Sequence, residues 1–187
     1  IKELKKELRR QQLKYFDSGL MPEEMRNQIT KEKETTVFAF VRDSKLYPLA
    51  KYLDYADLVL TRKKKNLQTF TEALTDTDPV IRYWSVIGLL LLEKQAKPAI
   101  SELKKVLGDQ NEIPPFAAWA IYKAGDKSFA KKWMLQTIEE NPENKTLANI
   151  FDWMKQEGFS ILGKIPEGKL PKKGLLRDIV NRYKARI

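Results

Sequence analysis

Apolar residues recur at spacings of three and four along almost the whole chain, and this spacing predicts helices nearly throughout. In the opening segment, IKELKKELRRQQLKYF, Ile1, Leu4, Leu8 and Tyr15 share one stripe, with Leu13 and Phe16 beside it and Lys and Arg on the other faces. Gly19 in DSGLMPEEM breaks this helix. A second begins at Pro22, with Glu23 and Glu24 in the first turn, where acidic side chains suit the helix dipole. TTVFAFVRD has the β-branched and aromatic content of a strand. With no second strand nearby to pair with it, a short helix is expected. Further helices follow from Leu49, Tyr52, Leu53, Ala56 and Leu60, then from Leu67, Phe70 and Leu74. Leu176, Ile179, Val180, Tyr183 and Ile187 mark a last amphipathic helix after a looser Gly/Pro/Lys stretch, Phe159 to Gly174. The expected class is all-α.

The most apolar stretch is DPVIRYWSVIGLLLLEKQ, from Asp78 to Gln95, where Arg82 is the one charge between Asp78 and Glu93. Its uncharged run, Tyr83 to Leu92, is shorter than the ~18–20 apolar residues a membrane-spanning helix needs, so no membrane span is expected. Asp78 is a good N-cap and Pro79 a good first helical residue. IRYWSVIGLLLL from Ile81, IPPFAAWAIYKA from Ile113 and KTLANIFDWM from Lys145 align with one another at a period of roughly 30 to 32 residues. Gly88 falls on Ala120 and then near Ile150. Each apolar helix follows a polar turn (TDTDP, GDQNE, ENPEN), and each turn follows an amphipathic helix. This is the pattern of an α-solenoid of short helical pairs, in which the helix covered on both sides becomes apolar nearly all round. Asp78, Arg82, Trp84, Gly88 and Trp119 are its structural marker residues. Arg82 is placed to reach an Asp of its own turn or of a neighbouring unit. Trp84, Trp119, Trp133 and Trp153 all read as core. Three regions follow: a helical lead-in over 1–60, the repeats over 61–158, and a linker with a final helix over 159–187.

The chain has no Cys and no His. That removes disulfides, thiolate ligands, a Cys nucleophile, and the commonest general base and metal ligand. No catalytic, metal or cofactor residue is assigned, and no cofactor is expected. No signal peptide is expected within these residues. The chain begins on Ile with its helical pattern already running, so a piece of a longer protein is expected.

Three further stretches, DSGLMPEEM, VRDSKLYPLAKYLDYADL and LANIFDWM, accompany DPVIRYWSVIGLLLL and AKPAISELKKVL. The last two resemble HEAT-like repeats. In this order the set is similar to the carboxy-terminal region that follows the catalytic domain in bacterial sulfatases of the heparan N-sulfatase and arylsulfatase-like kind. The similarity covers roughly Ile1 to Gly158. It implies a non-catalytic part of a sulfate-hydrolysing enzyme, partnered by the preceding catalytic domain, with a periplasmic or secreted location. The family's Cys/Ser-x-Pro-x-Arg motif is absent, so its catalytic residues carry over to no position here.

Net charge is +10, which favours polyanionic neighbours. Lys2, Lys5, Lys6, Arg9, Arg10 and Lys14 lie on the first helix. Arg62, Lys63, Lys64 and Lys65 form a run between two helices, and Lys169, Lys172, Lys173, Arg177, Arg182, Lys184 and Arg186 crowd the end. Of these, Arg62–Lys65, Lys172, Lys173 and Arg177 are the candidate polyanion-binding residues. Sulfated glycan is the expected ligand. The alternatives are a free-standing basic solenoid on nucleic acid and a plain protein-interaction scaffold, which would carry an exposed apolar patch.

Overall fold

The computed structural model describes residues 2–109, 112–155, 165 and 167–184. The protein is all-α, and no strand occurs among the described residues. The helices are α1 (Lys2–Tyr15), α2 (Glu23–Glu32), α3 (Val37–Phe40), α4 (Leu49–Leu60), α5 (Leu67–Glu72), α6 (Pro79–Leu92), α7 (Ile100–Val106), α8 (Ile113–Ala124), α9 (Lys127–Glu140), α10 (Lys145–Lys155) and α11 (Leu175–Lys184). TTVFAFVRD contains the short helix α3, capped by the Thr36 side chain accepting from the Ala39 N–H. Residues 159–164 and 166 of the Phe159–Gly174 stretch lie outside the described residues.

The apolar helix α6 starts where its sequence signals lie. The Asp78 carboxylate accepts from the Val80 N–H at 3.0 Å, and Pro79 takes the first helical position, where no N–H partner is needed. Eight of its residues are buried, including Val80, Ile81, Val86 and Leu89. Gly88 faces Phe70 of α5 so closely that an added Cβ would stand 2.7–2.9 Å from three atoms of the ring. The chain leaves α6 through a 3₁₀ segment, Glu93–Ala99, rather than a simple link.

Four helices run in one direction. At the start of α4, Lys51 and Tyr52 both reach Asp78 at the start of α6. In the first turns of α6 and α8, the Tyr83 and Phe116 rings meet edge to face at 5.4 Å. Past the other end of α6, Glu93 pairs with Lys123 in the last turn of α8. Thr146, at the start of α10, donates to Glu112, just before α8. So α4, α6, α8 and α10 lie parallel, and α5, α7 and α9 return between them. The return of α7 is shown by Asp109, just past its end, pairing at 3.2 Å with Arg82 near the start of α6. Gly125, at φ 122, makes the tight turn into α9 in a conformation that would strain an L side chain.

Residues 17–25 lap across the starts of α6 and α8. The Trp84 indole donates to the Leu20 carbonyl at 2.8 Å, and the Met25 N–H donates to the Glu112 carboxylate. Tyr47 is buried beside Phe40 and Tyr52 and donates to the Asp17 carbonyl. By contrast, α1 has no buried residue. Arg9 ties it to Asp54 and Asp57 of α4, and Leu13 and Phe16 turn toward Pro48 and Leu49. Its Leu4, Leu8 and Tyr15 stripe points away from the body, at 74, 58 and 66% exposure. A helix wheel explains the difference, because Arg9 and Leu13 lie more than a quarter turn from that stripe.

Candidate polyanion-binding edge

Parallel alignment sorts the charges by edge. The starts of α6, α8 and α10 carry Asp76, Asp78, Asp109, Glu112 and Glu143, and the ends of α4, α6 and α8 carry Arg62–Lys65, Lys94, Lys97 and Lys123, with Glu93 and Asp126 among them. Each set complements the helix dipoles it faces.

Arg62–Lys65 occupies the loop between α4 and α5, with all four side chains exposed. Lys64 and Lys65 open a 3₁₀ turn that runs to Asn66. This turn is pinned by Asn66, whose buried amide donates to the Leu58 carbonyl and the Thr61 hydroxyl. Because α5 returns antiparallel to α6, the loop lies at the same edge as the Glu93–Ala99 segment, which packs on both α5 and α6. Lys94 and Lys97 of that segment are exposed there too. Among the described residues, none of these six cations pairs with an acid. Arg62 also holds a left-handed φ of 52°, a conformation that costs a non-glycine residue energy and that recurs at functional sites.

Lys94 and Lys97 were legible from the repeat itself. Arg62 to Lys94 and Lys65 to Lys97 are each 32 residues apart, so the cations recur with the period of the apolar helices.

The other candidate cations do not join this edge. Lys173 lines a small cleft with Glu143, Asn144 and Lys145, at the start of α10 and so at the opposite edge. Lys172 is its exposed neighbour. Arg177 is spent on structure: it pairs with Glu167 and donates to the Pro171 and Leu170 carbonyls.

The repeat residues are placed as follows. Arg82 donates to the Asp76 carbonyl at 2.9 Å and pairs with Asp109 at 3.2 Å, joining two successive turns. Asp78 is held instead by Val80, Tyr52 and Lys51. Trp84 and Trp119 are half-buried. Trp153 departs from the core reading: it is 47% exposed. The buried stripe of α10 runs through Leu147, Ile150, Phe151 and Met154, and Trp153, with Thr146, falls on the flank of that stripe, about a third of a turn from its centre. Its ring rests against Phe116 and Trp119, with centroids at 6.5 and 5.9 Å.

The titratable groups whose behaviour is displaced are structural. Burial raises Tyr47, helped by the Asp17 charge, and Tyr83, helped by Glu112, each to about 12. Tyr52 is raised by burial and by Asp78 beside it. Asp126 is lowered by the hydrogen bond from Lys104. Among the described residues no cluster of acids is arranged to hold a metal ion, and no helix is long and apolar enough to cross a membrane. Compared with known proteins, the chain matches no family model, no curated protein and no solved structure.

Proposed function

We propose that this chain is a non-catalytic module of a sulfatase-like hydrolase, an α-solenoid of short HEAT-like units. In this reading it packs against the catalytic domain and offers its basic edge to sulfated glycan. The observation that carries the glycan reading is that edge: six exposed cations from two successive loops, without acidic partners among the described residues. A linear polyanion laid along it would meet charge from both loops and release its counterions, the term that dominates such binding. The solenoid reading is supported by the parallel row, by the 32-residue recurrence, and by Arg82 bridging two turns. The packing reading is supported by α1, whose aliphatic stripe has no cover among the described residues. The link to sulfatases is supported by the ordered stretches from DSGLMPEEM to LANIFDWM.

Heparin-affinity chromatography tests the edge. The wild type should need substantially more salt to elute than the Lys63→Glu, Lys64→Glu, Lys65→Glu triple variant. Passage of the wild type through the column at low salt, or identical elution of the two, would sink the proposal. Equal retention on duplex DNA, with the same salt slope, would move the reading to nucleic acid. The sulfatase assignment has its own test, the reading frame that encodes this chain: absence of a Cys/Ser-x-Pro-x-Arg motif upstream of Ile1 overturns it.

A further inference from the structure

We infer that Trp153 is a platform on which a sugar ring stacks, giving the module a second, uncharged contact with glycan. The inference rests on the glycan reading above and adds to it a site on a different face.

Among the described residues, the large apolar side chains that stand exposed fall into two groups. Seven lie in the first 60 positions, and the eighth is Trp153. It is held from beneath by Phe116 and Trp119, whose rings are inclined to it by only 36 and 34°. The indole is therefore supported over a broad area and presents its outer face to solvent in a fixed direction. Its immediate surroundings are polar. Asn149 is exposed one turn earlier on the same side of α10, and Asp152, about a quarter turn round the helix, is paired with Arg182 of α11. The Trp119 indole N–H beside Trp153 is buried with no acceptor among the described residues.

This combination selects the ligand. A protein partner fills a wide apolar centre with a polar rim, and the uncovered stripe of α1 has that aliphatic character. Trp153 is instead the most exposed ring of a flat aromatic row with Phe116 and Trp119, and the amide of Asn149 lies on the same side of its helix. A pyranose is complementary to such a surface. One face of it is a set of C–H bonds carrying slight positive charge, which suits the negative face of an indole, and its rim of hydroxyls suits an amide and a carboxylate. Lys123 lies one turn beyond Trp119 on α8 and leads toward Glu93 and Lys94.

The test separates the two contacts. The probe is a fully desulfated, N-acetylated heparin hexasaccharide in about 0.5 M salt, where exposed ionic contacts are screened. Binding is followed by the indole N–H resonances of the protein. The Trp153 and Trp119 signals should shift, while Trp84, locked to the Leu20 carbonyl, should stay in place. Trp153→Ala should weaken binding about tenfold, the scale of one lost stacking contact. Trp153→Phe should retain part of it, and the Lys63/Lys64/Lys65 charge reversal should change nothing. An unmoved Trp153 signal at millimolar probe, or undiminished binding by Trp153→Ala, overturns the platform. Loss of binding to sulfated heparin in the charge-reversal variant would leave the basic edge standing in that case.

Discussion

Gly88→Ala sets two effects of known size against each other. Alanine in the middle of a helix is favoured over glycine by about 1 kcal/mol, so at an open position the change would stabilise α6. At this position the new methyl would lie 2.7, 2.8 and 2.9 Å from Cδ2, Cε2 and Cγ of Phe70, roughly 1 Å short of comfortable carbon contact at three atoms. Phe70 has no exposed surface and is backed by the Tyr55 ring at 6.1 Å, so it cannot swing aside. Overpacking of this kind costs about 1–3 kcal/mol, and the rigid backing places this case toward the upper end. The expected net is a destabilisation of about 1–2 kcal/mol, a fall of several degrees in the thermal midpoint for a chain of this length. The decisive measurement is a double-mutant cycle with Phe70→Leu, followed by urea or thermal unfolding. With the ring gone the clash is gone, so Gly88→Ala should become neutral or stabilising by up to about 1 kcal/mol, a coupling of about 2 kcal/mol. A wild-type background in which Gly88→Ala raises stability, or a cycle with no coupling, would refute the reasoning.

Arg82→Ala should cost about 1–2 kcal/mol in chemical denaturation, because it leaves the Asp76 carbonyl and the Asp109 carboxylate without their shared donor; Arg82→Lys should recover only part. Arg62→Gly should raise stability by about 0.5–1 kcal/mol, since glycine adopts the φ of 52° without strain, and should lower the salt needed for heparin elution; movement of both in the same direction would refute the link between strain and site. Stability should fall between pH 10 and 12. The Tyr47 and Tyr83 phenols hold their protons to about 12 in the folded chain, while the unfolded chain releases them near 10. Their contribution is full below about 10 and is lost as pH rises through the folded values, about 1 kcal/mol each by pH 11. Equal denaturation midpoints at pH 9 and pH 11 would contradict this.

Helix α6 was readable in full from the sequence, because its signals are local: a capping Asp, a proline that needs no donor, and a run of apolar residues. Trp153 was misread for an equally physical reason. Its apolar neighbours in sequence form a stripe centred about a third of a turn away round α10, and only the angular position of each residue separates them. The direction of the α1 stripe was invisible in another way. Spacing reports that a stripe exists, but which side of the helix meets the body was decided by Arg9 finding two carboxylates on α4. The separation of Lys173 from Arg62–Lys65 required the directions of α4 and α10, which follow from contacts such as Tyr52 with Asp78 and Thr146 with Glu112. The Glu93–Ala99 segment left no sequence signal as a 3₁₀ helix, although its two lysines did recur in register.

The packing around α6 also bears on how the molecule opens. This helix contacts α4, α5, α8 and the Glu93–Ala99 segment, and α8 contacts α6, α7, α9 and α10, whereas α1 touches the body mainly through α4 and α11 mainly through α10. Amide exchange should therefore be fastest at the two outer helices and slowest in α6 and α8, the order in which local opening rises toward global unfolding. The partners of α6 lie close in sequence, so it can assemble without closing a long loop, a topology that favours rapid folding. Both loops of the basic edge are fastened to this piece. The surface proposed to meet a polyanion thus belongs to the part of the protein that is last to come apart.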